Sequence, residues 1–299
     1  MLENIDLFEK KEYFKNSFCF LYYIHDKLYI KEEHNEWVIE INQNEYKIYI
    51  SEYNPLYKIY LLRFLRYISY GLCEDKGMIL MHGAAVSYQG NGIIIVGEKG
   101  SGKTTLLINF LNMKADLIAN DRLFITDELN IIGVPQALRI GCDSFNNESK
   151  IQEYFKRNNL FREQEKIKTD NFKYLLVVSE LIKIYKCKFR IQKHLDYILI
   201  PDIQIGKNDV EIECLDEIEK ERIFEKVCFT PFDESFRSDW ICFTSNNILN
   251  KIRFRRERWH DIRELQFVKV KYGTEVEAEF ITSRIMEFLN ESKGENVYV

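Results

Sequence analysis

The chain has 299 residues, of which 46% are hydrophobic and 30% charged, and its 42 Lys and Arg against 47 Asp and Glu leave a formal net charge of −5. The length admits one large domain or two smaller ones, and only 4 prolines and 13 glycines argue against long low-complexity segments. The acidic balance excludes a chain-wide basic field and argues against nucleic acid as a partner.

Within the first 55 residues, apolar and polar positions alternate in strand fashion at 18–24, 28–30, 37–41 and 46–50, with a turn at His25-Asp26-Lys27. Short strands joined by polar turns predict a small antiparallel sheet. Pro55 ends it, and residues 56–72 carry apolar side chains at helical spacing as far as the turn Glu74-Asp75-Lys76-Gly77. We therefore expect a small β-rich region with a connecting helix over 1–75, and an α/β domain over 76–299.

Met78-Ile79-Leu80-Met81 and Ala84-Ala85-Val86-Ser87-Tyr88 read as strands, and Gln89-Gly90-Asn91-Gly92 as a hairpin turn into the apolar run Ile93-Ile94-Ile95-Val96. Residues 97–105 then read GEKGSGKTT, a match to G-x-x-x-x-G-K-[ST], and a helix-like run follows at 106–111. Strand, glycine-rich loop and helix are the context a phosphate-binding P-loop requires. Glycines let backbone N–H groups approach an anion, and the helix N-terminus adds partial positive charge. The expected nucleotide-binding residues are Gly97, Glu98, Lys99, Gly100, Ser101, Gly102, Lys103, Thr104 and Thr105. Lys103 supplies a cation for the β- and γ-phosphates, and Thr104 a hydroxyl for Mg²⁺. The match alone does not separate a kinase from an ATPase or a switch.

Residues 116–121 read as a strand ending in Asn120-Asp121, and 123–126 with 131–134 as a hairpin. The polar stretch 146–170 is mostly helical in composition and is expected as a mobile insertion. Strands are expected at 174–179, 183–190, 196–200 and 267–270, a mixed strand and helix at 211–224, and a closing helix at 275–289. There is no internal repeat. Seven scattered cysteines form no C-x-x-C pair, so neither zinc nor redox chemistry is signalled. No apolar run approaches the ~20 residues that span a bilayer, and the charged N-terminus lacks a signal-peptide core. A cytoplasmic protein with no membrane partner is expected.

Ligands collect at the carboxyl ends of strands in open α/β sheets. His82 and Asp121 both stand at strand ends. Asp121 can hold Mg²⁺ or take a proton from an attacking hydroxyl, or it can simply cap its strand as a turn residue. His82 can equally be a packed histidine beside Gly83.

Taken together, Met81-His82-Gly83-Ala84-Ala85-Val86, Gly90-Asn91-Gly92, the stretch 97–105 and Leu117-Ile118-Ala119-Asn120-Asp121 resemble HPr kinase/phosphorylase and its related kinases. Their P-loop core is similar to that of ATP-dependent phosphoenolpyruvate carboxykinase. The resemblance covers roughly 78–135. It implies an α/β core of that type with a mixed sheet, beside the small β-rich N-terminal region. It implies ATP and Mg²⁺ as cofactors, catalytic roles for His82, Lys103 and Asp121, with Asp121 as general base, and Thr104 and Asp121 as metal ligands. Asn120 stands where the family carries a first aspartate, which bears on the reverse, phosphorylase activity and on metal coordination. The family's downstream glycine-rich signature is absent, which argues against HPr itself as acceptor. The arrangement looks more like divergent relatives that phosphorylate a serine on a precursor peptide, including lasso-peptide kinases. A small-molecule kinase, a nucleotide-dependent switch and a homo-oligomer stay open.

Two further tracts stand out. Arg253-Phe254-Arg255-Arg256-Glu257-Arg258-Trp259-His260 is the densest basic stretch, either an anion site or a solvated face paired with carboxylates. The turn-rich tract 231–240 is either a substrate-side loop or plain surface.

Overall fold

Alternation builds the first sheet. β1 (Leu7–Phe14), β2 (Ser17–Ile24), β3 (Lys27–Glu32), β4 (Trp37–Ile41) and β5 (Tyr46–Ile50) form an antiparallel meander in that order. The register sets Leu21 opposite Ile30, Ile30 opposite Ile39 and Leu28 opposite Ile41, and all five side chains are buried. One face of the sheet is therefore the apolar one, as a period of two demands. On β4, Glu40 accepts from Lys27 Nζ at 2.9 Å and from Tyr49 Oη at 2.8 Å.

The computed structural model describes residues 7–14, 17–24, 27–32, 37–42, 45–50, 57–158, 160, 173–231 and 248–295. The expected turn at His25-Asp26, Pro55, the 161–170 part of the polar insertion and positions 232–240 of the turn-rich tract lie outside them. β1 escaped the sequence reading, because charged residues interrupt its alternation.

The chain divides into two compact units, one of 1–77 with 230–252, the other of 78–229 with 253–299. The division expected after residue 75 did not include the return of 230–252 to the first unit. A buried polar group ties that return to α1 (Tyr57–Asp75). Thr230 donates to Glu74 Oε1 at 2.6 Å, and Lys251 donates to Glu74 Oε2 at 3.1 Å. Glu74, Thr230 and Lys251 are all buried, and burial pushes the Glu74 carboxyl above its ordinary pKa. Removing one member of a buried ion pair strands the other. Lys251→Met is therefore expected to cost about 3–5 kcal/mol, read as a lower urea midpoint. A loss below about 1 kcal/mol, the size of an exposed pair, would mean that water already screens the pair.

The second unit opens with β6 (Ile79–His82), β7 (Ala84–Tyr88), β8 (Asn91–Ile95), α2 (Lys103–Asn112), β9 (Asp116–Ala119), β10 (Arg122–Ile125) and β11 (Asn130–Gly133). β12 (Leu138–Gly141), α3 (Cys142–Asn146), α4 (Ser149–Arg157), β13 (Lys173–Leu176), α5 (Val178–Tyr185), β14 (Gln192–His194) and β15 (Tyr197–Gln204) follow. β16 (Val210–Cys214), α6 (Glu217–Val227), α7 (Ile248–Ile262), β17 (Gln266–Gly273) and α8 (Ala278–Glu295) complete the described chain. Residues 248–252 of α7 belong to the first unit.

A six-stranded mixed sheet runs in the order β16-β17-β15-β8-β7-β9. β8 is parallel to β15 and antiparallel to β7. The β7–β8 hairpin turns on Gln89 (φ 49°) and Gly90 (φ 84°), a backbone that matches strand twist. On one face, Leu106, Leu107, Phe110 and Leu111 of α2 and Ile281, Ile285 and Leu289 of α8 share a core with Ile93, Ile95 and Leu199. On the other, α6 and a second sheet, β14-β11-β10-β6, bury Ile79, Met81, Leu123 and Ile125 with Ala85, Ile94 and Ile118. Two apolar faces explain why the central strands read as unbroken hydrophobic runs.

One expectation is corrected. Strands were expected at 174–179 and 183–190, but α5 occupies 178–185. The Glu180 carboxylate accepts the Val177 N–H at 2.8 Å and closes the first turn. Leu181 and Tyr185, four apart, are both buried. Helical spacing there outweighs local β-propensity.

Candidate active site

Two crossings between sheets meet at one place. β6 passes into β7 through Gly83, and β9 passes into β10 through Asn120-Asp121. The Gly83 N–H donates to Asp121 O at 3.1 Å and joins the crossings. A side chain at Gly83 would press on Ile95 O at 3.0 Å, so the crossing lies against the end of β8. β9 runs antiparallel to β7, and β7 antiparallel to β8. The carboxyl ends of β8 and β9 therefore share an edge with the start of β7. That edge carries the glycine-rich loop, His82 and Asp121.

The loop between β8 and α2 is shaped by two glycines in particular. Gly97 has φ 146° and Gly102 has φ 101°, values an L side chain rarely adopts. A Cβ on Gly102 would also meet Tyr272 Oη at 2.6 Å. That hydroxyl donates to Gly102 O at 3.1 Å, and Leu106 N–H donates to the same oxygen at 2.8 Å. Gly102 precedes α2, so the first N–H groups of the helix have no acceptor one turn back. Lys103 bends over the loop and donates to Gly97 O at 2.7 Å and Glu98 O at 2.8 Å. Burial lowers its pKa, and the Asp121 and Glu98 charges oppose that shift.

Polar groups gather here without protein partners. Ser101 Oγ is buried with no hydrogen bond, and both amide atoms of Asn120 are in the same position. Such orphans call for a water, an ion or a ligand. Together with the glycine cradle, they fit a phosphate-bearing group. Glu98 pairs with Lys226 of α6, Lys99 and Gly100 are exposed, and Thr104 and Thr105 sit half-buried in the first turn of α2.

Beside the loop, His82, Asp121 and Arg122 form one contact group. Arg122 Nη1 lies 2.9 Å from Asp121 Oδ2 and 2.5 Å from His82 Nδ1. Arg122 is buried, whereas Asp121 keeps 43% of its side chain exposed. His82 stacks on Phe229 with centroids 5.7 Å apart, and the Arg122 guanidinium lies 4.6 Å from the same ring centre. Burial first, then the Arg122 charge, lowers the His82 pKa, against the pull of Asp121; the Lys103 charge lowers it further. His82, Lys103 and Asp121 thus lie within electrostatic range of one another.

Arg122, Phe229 and Tyr272 were missed from the sequence. Arg122 had a usable signal, a charge opening the apolar strand Leu123-Phe124-Ile125. Phe229 and Tyr272 had none, since they meet the site only through tertiary packing. The basic tract lies elsewhere, on α7. Arg253 pairs with Glu257, Arg255 with Glu225, and Arg258 with Asp261 and the Asp127 carbonyl. The carboxylate pairing matches one of the two alternatives, but Arg255 and Arg258 are largely covered, with 18% and 11% of their side chains exposed.

No helix among the described residues is long and apolar enough to cross a membrane. No protein-family model matches the sequence, and no curated protein matches it. Among solved structures, the chain is similar to the Hpr(Ser) kinase/phosphatase from Coxiella burnetii, with 8% identity and a TM-score of 0.32, over 73% of this chain and 94% of that one.

Proposed function

We propose that the chain is an ATP- and Mg²⁺-dependent kinase that phosphorylates a hydroxyl, a serine on a peptide or small protein being the favoured acceptor. One observation carries the reading. A glycine cradle with orphaned polar groups lies at the same sheet edge as a half-exposed carboxylate, Asp121, and a half-buried histidine, His82. Anion site and base side by side are what phosphoryl transfer needs.

In this reading the loop N–H groups and Lys103 hold the β- and γ-phosphates. Thr104 and Asp121 would hold Mg²⁺, which supplies charge neutralisation when bound. Among the described residues no three His, Cys, Asp or Glu side chains come together as a metal site. The ion would then take phosphate and water oxygens as its other ligands, which suits Mg²⁺. Asp121 receives the proton of the acceptor hydroxyl, and His82 orients the reacting groups. Most of the acceleration comes from positioning and fixed charge.

The test offers γ-labelled ATP with serine peptides and, separately, small hydroxyl compounds. Label is expected on serine with Mg²⁺, lost in EDTA and restored by added Mg²⁺. Transfer to small compounds alone would move the acceptor class. Tight ATP binding without any labelled product would leave a nucleotide-dependent switch, and full activity in EDTA would remove the metal roles.

A further inference from the structure

His82 and Asp121 each offer two atoms for chemistry, and Arg122 decides which ones are used. Arg122 lies directly opposite His82 in the β10–β6 register. Its guanidinium carries donors only. A nitrogen 2.5 Å from Arg122 Nη1 must therefore present a lone pair. His82 Nδ1 also lies 3.0 Å from Asp121 O, a distance that would suit a proton on Nδ1. That carbonyl already accepts from Gly83 N–H at 3.1 Å and Arg122 Nη1 at 3.2 Å. A proton on Nδ1 would also collide with the guanidinium hydrogen. The proton belongs on Nε2.

We propose that Arg122 is a positioning residue that fixes His82 as the Nε2–H tautomer and holds Asp121 through Oδ2, so that the acceptor's proton goes to Oδ1, which lies 3.6 Å from His82 Nδ1, beyond hydrogen-bond reach. The Asp121 half rests on the kinase reading, whereas the His82 half stands on geometry alone. Phe229 completes the clamp, since its ring takes the imidazole in a stack at 11° and the guanidinium near its centre. His82 so held is a hydrogen-bond donor and cannot act as the base. The acceptor oxygen forms the new bond to the γ-phosphorus. The bond to the β–γ bridging oxygen breaks with its electron pair on the departing diphosphate. The hydroxyl proton passes to Asp121 Oδ1.

Nitrogen-15 NMR of the full chain labelled at histidine reads the tautomer directly, with His82→Gln assigning the signal. The wild type is expected to show Nε2 protonated and Nδ1 bare. In Arg122→Met the proton is expected to move to Nδ1, toward Asp121 O. Single-turnover transfer is expected to fall about tenfold or more, while ATP affinity stays within about twofold. A wild-type His82 protonated at Nδ1 overturns the proposal, whether or not any variant folds. So does an unchanged tautomer in Arg122→Met, or a changed tautomer with an unchanged rate. If the wild type transfers no phosphoryl group to any acceptor, the kinase reading and the Asp121 half fall together, and the tautomer still decides the His82 half.

Discussion

Lys103→Ala is expected to abolish nucleotide-dependent phosphoryl transfer while leaving the fold in place. Lys103 is the first residue of α2, and its ammonium already lies over the loop on the Gly97 and Glu98 carbonyls. In the proposed mechanism it is the cation that the loop offers to the β- and γ-phosphates. A charge-assisted hydrogen bond is worth about 1.5–3 kcal/mol in the ground state. Where charge builds up in the transition state, losing one such donor costs roughly 10²–10³ in rate. The two carbonyls that Lys103 leaves stand at a loop with exposed Glu98, so water can replace it. Stability should therefore change by less than about 1 kcal/mol. Paired thermal melts and single-turnover assays check both halves. Activity near the wild-type level would remove the loop from the mechanism, and a large fall in melting temperature would turn the result into a folding effect.

The loop and its two flanking elements were legible because the pattern is local. Four apolar residues, a glycine tract and a helical run lie within 20 positions, and β8 and α2 appear in that order. The hairpin through Gln89 and Gly90 and the strand ends at His82 and Asp121 were legible for the same reason. What links them was not. That β6 and β9 each leave one sheet for another at the same point depends on long-range pairing, Arg122 with His82 and Ala85 with Ala119. No local pattern encodes the sheet crossing, so the sequence could set His82 and Asp121 at strand ends beside the glycine-rich loop yet say nothing of the guanidinium that contacts both. α5 fails for a related reason. Its residues suit a strand one by one, and only the Glu180 cap and the buried side of Leu181 and Tyr185 decide for helix. The segment around Thr230 reads as turn, and its place in the first unit follows from a buried partner, Glu74, more than 150 positions earlier.

Asp121→Asn separates the kinase from a binding module. A general base acts on the acceptor, not on ATP. Asparagine keeps the size of the side chain and an oxygen that can still accept from Arg122 in place of the 2.9 Å contact to Oδ2, so the crossing should hold its shape. It loses the basicity. Transfer is then expected to fall by roughly 10²-fold or more, the usual contribution of a placed general base. ATP affinity should change far less, because backbone N–H groups and Lys103 carry the phosphate contacts in this reading. If Asp121 serves mainly as a metal ligand, transfer and Mg·ATP affinity should fall together. If it is only a strand-end turn residue, neither should move. The measurement is paired: ATP dissociation by calorimetry with Mg²⁺, and single-turnover transfer to the acceptor peptide. Asp121 keeps 43% of its side chain exposed, but the substitution takes a counter-charge from the buried Arg122 guanidinium, so a lost rate is assigned to the missing base only where the melt is unchanged. An unchanged transfer rate would sink the proposed base, whatever happens to affinity, and leave nucleotide binding as the function that this sheet edge supports.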